Sequence, residues 1–226
     1  MAFSEDNFKT WFDLKKKERK YKIGSREYTS YIGEVDTFKK YMLALAMRNG
    51  YGGYRQTVLL SDGAPWIRNL REELFPDAQQ ILDFFHLAKN VTDFAKIIFN
   101  KDEIKYKSWS KNVCDLFKAG KTTDAIRQIK IFSDDRLSKN ILNYINNNIS
   151  FIDYATYRKK GWFIGSGAIE SANRTVLQQR LKQPGMRWNI ENGQHIVTLM
   201  AKAKSGLWNR DVEKATLRHY KVKNYY

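Results

Sequence analysis

The period of the apolar residues changes several times along this chain, and each change marks an element. Tyr28 to Ile32 is aromatic and β-branched and is closed by Gly33, which predicts a strand. Phe38, Tyr41, Met42, Leu45 and Ala46 then recur at helical spacing, and Gly50, Gly52 and Gly53 end that helix. Thr57-Val58-Leu59-Leu60 is a short apolar run followed at once by turn residues, the pattern of a buried parallel strand. Pro65 to Leu74 predicts a helix opened by proline near its first turn. Gln80 to Phe85 predicts another strand, running into a helix from His86. The alternation from about 28 to 90 therefore predicts an α/β unit with a parallel sheet.

From about 87 to 158 the character shifts. This stretch has no proline and Gly120 as its single glycine, and Val91, Phe94, Ala95, Ile98, Ile126, Ile129, Ile141, Leu142 and Ile145 sit at helical spacing. It predicts a helical insertion. A glycine-rich segment, Gly161 to Gly167, separates it from a helix over Ala168 to about Lys182 and another over Ile190 to Lys204. The tail from Asp211 to Tyr226 is basic.

Composition changes the picture chiefly through charge. A chain of 226 residues, 42% apolar and 14% aromatic, can bury a core. Its 40 Lys and Arg against 24 Asp and Glu leave +16, a field that attracts polyanions, of which nucleic acid is the commonest in a cell. A Lys-rich solvated surface is the plainer reading. The run Lys15-Lys16-Lys17-Glu18-Arg19-Lys20 admits the same two readings. Cys114 is the single cysteine, which excludes an intrachain disulfide and a cysteine zinc site. With neither a secretion signal at its start nor an apolar run of membrane-spanning length, the chain is expected to be soluble and intracellular.

Four clusters could carry chemistry. Asp62 stands at the end of a predicted strand, where ligands gather in open α/β sheets, or it simply makes an Asp-Gly turn. Asp83 and His86, three apart, could hold a divalent metal or could position one another. Glu170 follows Gly165-Ser166-Gly167 in the first turn of a helix, where the dipole favours an acid and Arg174 could pair with it at i, i+4. The flanking glycines also allow close approach of a large partner. Arg174, Arg180, Lys182 and Arg187 suggest phosphate contacts, and Trp188 either stacks on an unpaired base or fills the core.

Taken in order, the stretches SDGAPWIRNL, LFPDAQQILDFFHLAKN, GWFIGSGAIESANRTVLQQRLKQPGMRWN and SGLWN resemble the transposases of bacterial insertion sequences, the ISKra type first and the ISLre type next. The resemblance spans about residues 28 to 210. It implies a ribonuclease H-like α/β fold with a helical insertion: residues 1–86 as its first part, 87–160 as the insertion, 161–205 as the C-terminal catalytic helices and 206–226 as a basic tail. It implies a DDE-type DNA transposase, an enzyme of DNA recombination that moves a mobile element. Asp62 and Glu170 would be the second and third acids, Asp83 and His86 supporting residues, and Arg174, Arg180, Lys182, Arg187 and Trp188 DNA contacts. Two Mg²⁺ ions, about 3.5–4 Å apart in such sites, would activate the nucleophile and stabilise the leaving oxygen. Self-association, DNA as partner and a cytoplasmic, nucleoid-associated location follow from the same likeness.

The first acid of the triad is missing from its expected place. Asp6 and Asp13 are the only acids of that type upstream of Tyr28, and neither lies in an apolar strand. The expectation is a fold lacking its first strand, a reading frame that starts inside the catalytic domain, and an upstream-encoded part needed for activity. A non-catalytic DNA-binding remnant is the alternative.

Overall fold

The computed structural model describes residues 1–2, 8–13, 18–24, 26–53, 56–132, 136–165 and 167–214. Asp6, the Lys15-Lys16-Lys17 run and the tail beyond 214 lie outside them. The chain forms two compact units, a central one over 56–167 and a terminal one made of 1–55 and 168–226.

In the central unit β3 (Val58–Ser61) and β4 (Gln79–Leu82) pair in parallel, with Val58 opposite Gln79 and Ser61 opposite Leu82. The link between them is α2 (Pro65–Leu74), which carries its proline in the first turn, where no backbone N–H is needed. Arg71 then pins the return, donating from Nε to the Ala78 carbonyl and from its terminal nitrogen to that of Pro76, each at 3.1 Å. Five helices follow: α3 (Phe84–Ile98), α4 (Glu103–Lys118), α5 (Thr122–Lys130), α6 (Arg136–Asn147) and α7 (Tyr154–Lys159). Three start on an aspartate whose carboxylate accepts from a first-turn N–H: Asp83 for α3, Asp102 for α4 and Asp153 for α7. Buried Phe84, Leu87, Val91 and Phe94 put one stripe of α3 into the core, beside Ile81 and Leu82 of β4 and Val113, Cys114 and Phe117 of α4. Phe94, Phe99, Trp109 and Phe132 extend it as a set of tilted and edge-on aromatic contacts, with centroids 5.8–6.4 Å apart. This is the segment whose spacing predicts helices.

In the terminal unit β1 (Phe8–Asp13) and β2 (Glu18–Ile23) form an antiparallel pair. The helices are α1 (Val35–Arg48), α8 (Gly167–Ala172), α9 (Gln179–Leu181) and α10 (Ile190–Lys204), with a further helical stretch over 208–214. Between α8 and α9 the turn over Asn173–Gln178 widens into a π-helix. Such π-turns are rare and occur often at functional sites. Ala172 and Val176 on this run and Val197 and Ala201 on α10 are buried.

Two expectations are corrected here. The ribonuclease H-like α/β class requires a larger mixed sheet. Among the described residues the protein is mostly helical, with two separate two-stranded sheets and neither of them closed. The resemblance to insertion-sequence transposases of the ISKra and ISLre types therefore does not extend to the architecture it implies.

The strand predicted over Tyr28 to Ile32 does not form, and among the described residues this segment pairs with no strand. The Gln194 side chain of α10 accepts from the Ile32 N–H at 2.7 Å and donates to the Ser30 carbonyl at 3.3 Å, as a neighbouring strand's peptide would. Ser205 Oγ accepts from the Tyr28 N–H at 2.8 Å. Backbone groups that a ladder would satisfy are satisfied by a helix instead.

Candidate functional site

Asp62 lies one residue past the end of β3. Its Oδ1 accepts from the Ala64 N–H at 3.0 Å, closing an Asx-turn of the kind an Asp-Gly pair makes by itself. Gly63 has φ +86°, and a Cβ there would come within 2.7 Å of Leu82 Cδ1 and 2.9 Å of Asn148 Oδ1. Glycine is therefore required for both conformation and space.

Asp83 lies one residue past the end of the paired strand β4, its N–H bonded to the Ser61 carbonyl at 2.6 Å. Its carboxylate is divided between two donors. Oδ1 accepts from the Phe85 N–H at 3.1 Å, and Oδ2 meets His86 Nδ1 at 2.6 Å. The buried acid thus caps α3 and orients the imidazole at the same time. Beneath it, Gln80 Nε2 donates to Ser61 Oγ at 3.0 Å.

Tyr144 and Asn148 on and just after α6 reach the same strand ends, and nothing in the local sequence announces them. The Tyr144 hydroxyl donates to the Asp62 carbonyl at 3.4 Å, and Asn148 Nδ2 donates to the Tyr144 carbonyl at 2.9 Å. Burial, then the nearby Asp62 and Asp83 carboxylates, push the Tyr144 hydroxyl up to about 12. Tyr154, fully buried and edge-on to Phe84 at 5.3 Å, is raised by burial in the same way.

Glu170 is exposed in α8 and belongs to the terminal unit, whereas Asp62, Asp83 and His86 belong to the central one. Among the described residues Glu170 and Arg174 form no ion pair. No group of three or more His, Cys, Asp or Glu that could hold a metal ion forms among the described residues. A DDE-type mechanism needs such a set of carboxylates, so the transposase reading, its enzymatic activity and the roles in DNA recombination that went with it are corrected on this ground and on the fold.

The predicted nucleic-acid contacts have a different standing in the structure. Arg174, Arg180, Lys182, Arg187 and Trp188 are all exposed, which places Trp188 outside the core. Residues 171–190 hold four bases and no acid. Among the described residues none of the four has an acidic partner. In the central unit some helical cations meet acids: Asp93 takes Lys89 and Lys96 at 2.7 and 3.0 Å, Asp102 takes Lys105 at 3.2 Å, Asp124 takes Arg127 at 3.0 Å, and Glu103 pairs with Lys107, while Lys111, Lys130 and Lys159 have no acidic partner among the described residues. Twenty-three of the 40 Lys and Arg and 11 of the 24 acidic residues fall in the terminal unit, which leaves it +12 against +4 for the central unit.

No helix among the described residues is long and apolar enough to cross a membrane. Comparison with protein-family models, with curated proteins and with solved structures gives no match.

Proposed function

We propose that this chain binds DNA, through phosphate contacts made by the basic stretch 171–190 of the terminal unit. The observation that carries the reading is a run of four exposed cations, Arg174, Arg180, Lys182 and Arg187, in a stretch that contains no acid and in which, among the described residues, none of the four has an acidic partner. A cation already paired releases little on meeting phosphate, whereas an unpaired one displaces the counterions condensed on DNA. The neighbouring amides Asn173, Gln178 and Gln179 are exposed on the same run, where amide groups can hydrogen-bond phosphate oxygens.

The test is fluorescence anisotropy on a labelled duplex across a range of salt concentrations. Four phosphate contacts predict a log–log slope of about −3.6. Arg180→Ala and Lys182→Ala should each reduce that slope by about 1 and weaken binding to all sequences alike. Lys107→Ala, which removes a paired cation of the central unit, should change neither slope nor affinity. Binding that ignores salt, or that survives loss of all four bases, rules the reading out.

A further inference from the structure

The segment after the basic run carries a second feature that phosphate binding does not use. Met186 and Trp188 are each 39% exposed and Ile190 is 74% exposed, three apolar side chains alternating with Arg187 and Asn189. Exposed apolar groups in such a row usually mark a contact surface.

This segment is held at both ends. On one side the Met186 N–H bonds the Gln183 carbonyl at 3.2 Å, and Gln183 Nε2 reaches back to the Gln179 carbonyl at 2.7 Å. On the other, Asn189 caps α10, its Oδ1 accepting from the Asn192 N–H at 2.7 Å. Gly193, one turn into α10, is buried, and a Cβ there would lie 3.8 Å from Trp188 Cβ and 3.4 Å from Ile32 Cδ1, both ordinary contact distances. Among the described residues the indole has no aromatic partner.

We propose that Trp188, with Met186 and Ile190 beside it, is a stacking platform for unpaired nucleobases, so that the protein binds single-stranded nucleic acid in preference to duplex. The inference rests on the nucleic-acid reading above and names the form of the ligand. Charge complementarity selects the occupant: the platform is continuous in sequence with Arg174, Arg180, Lys182 and Arg187, and the stretch 171–190 holds no acid between the flanking Glu170 and Glu191. A phosphate chain held by Arg180, Lys182 and Arg187 would bring its bases to an indole face. Stacking tolerates any base because every base has a π-face, but bases inside a duplex are already stacked on each other.

The experiment compares three labelled probes by anisotropy at one salt concentration: an oligothymidine of about 12 nucleotides, an abasic strand of equal length, and a duplex. The protein should bind oligothymidine about tenfold more tightly than the abasic strand, a ratio within what one stacked base supplies. Trp188→Ala should abolish that ratio, and Trp188→Phe, which keeps an aromatic face, should retain most of it. Circular dichroism confirms that both variants are folded. If oligothymidine and the abasic strand bind equally and Trp188→Ala changes nothing, the platform is refuted while phosphate binding stands. If none of the three probes binds, the nucleic-acid reading fails and the platform with it.

Discussion

The carboxylate of Asp83 and the imidazole of His86 meet at 2.6 Å across the first turn of α3, with the Asp83 side chain 1% exposed and that of His86 43% exposed. A buried acid is stable there because its oxygens receive both the Phe85 N–H and His86 Nδ1. Asp83→Ala removes the helix cap and the partner of His86 together and should cost about 1–3 kcal/mol. Asp83→Asn keeps an acceptor for the Phe85 N–H and should cost less. Urea unfolding measures both, and equal midpoints for the two variants would show that the cap contributes nothing.

Gly63→Ala should destabilise the central unit through two effects. The left-handed conformation costs an L-residue roughly 1–2 kcal/mol. Its Cβ would also press on Leu82, which is fully buried and cannot swing aside, adding about 1–3 kcal/mol of overpacking. A thermal midpoint equal to wild type would contradict this geometry.

Gln194→Leu tests how the segment over Tyr28 to Ile32 is held. The change deletes the acceptor of the Ile32 N–H and the donor to the Ser30 carbonyl, and should cost about 1 kcal/mol per hydrogen bond. Amide hydrogen exchange at Ile32 should accelerate. Unchanged protection at that amide would show that Gln194 is not its partner in solution.

Stability should fall in alkali. Burial raises the Cys114 thiol from its ordinary 9.0 to about 11 and the Tyr144 hydroxyl from 10.0 to about 12. An acid whose pKa is raised on folding keeps its proton longer in the folded state than in the unfolded chain. Its contribution is thus complete below the unfolded value and is lost as pH rises toward the folded one. Unfolding midpoints should hold up to about pH 9 and decline between 9 and 12, first through Cys114 and then through Tyr144 and the buried Tyr154. Cys114→Ala should delay the onset of that decline, and a flat profile to pH 12 would contradict the burial of these groups.

Much of the local structure is legible in the chain because its causes are local. The period of Val91, Phe94, Ala95 and Ile98 specifies a helix without reference to the rest of the molecule, but that helix starts at Phe84, capped by Asp83, inside the stretch Gln80 to Phe85 whose composition predicts a strand. The Pro65–Leu74 and Ile190–Lys204 helices have the predicted limits for local reasons: a proline opens one and Asn189 caps the other. The short apolar run ending at Leu60 is likewise readable as a strand. Where its partner lies is a separate matter.

Partners at long range were decided by the tertiary structure. Residues 28 to 32 have the composition of a strand, but an extended backbone only states what must be bonded and does not name the donor. Here it is Gln194, 162 residues from Ile32. The resemblance implies that Asp62 and Glu170 share a metal site with Asp83 in support, but convergence of carboxylates is a property of packing, and no metal-holding group of three forms among the described residues. Tyr144 and Asn148, invisible in the pattern, are the residues that packing brings to Asp62 and Gly63. The sequence determines the net charge of +16; the fold determines which cations meet acids. It leaves those of 171–190 without acidic partners among the described residues, because a cation's local field depends on its neighbours in space.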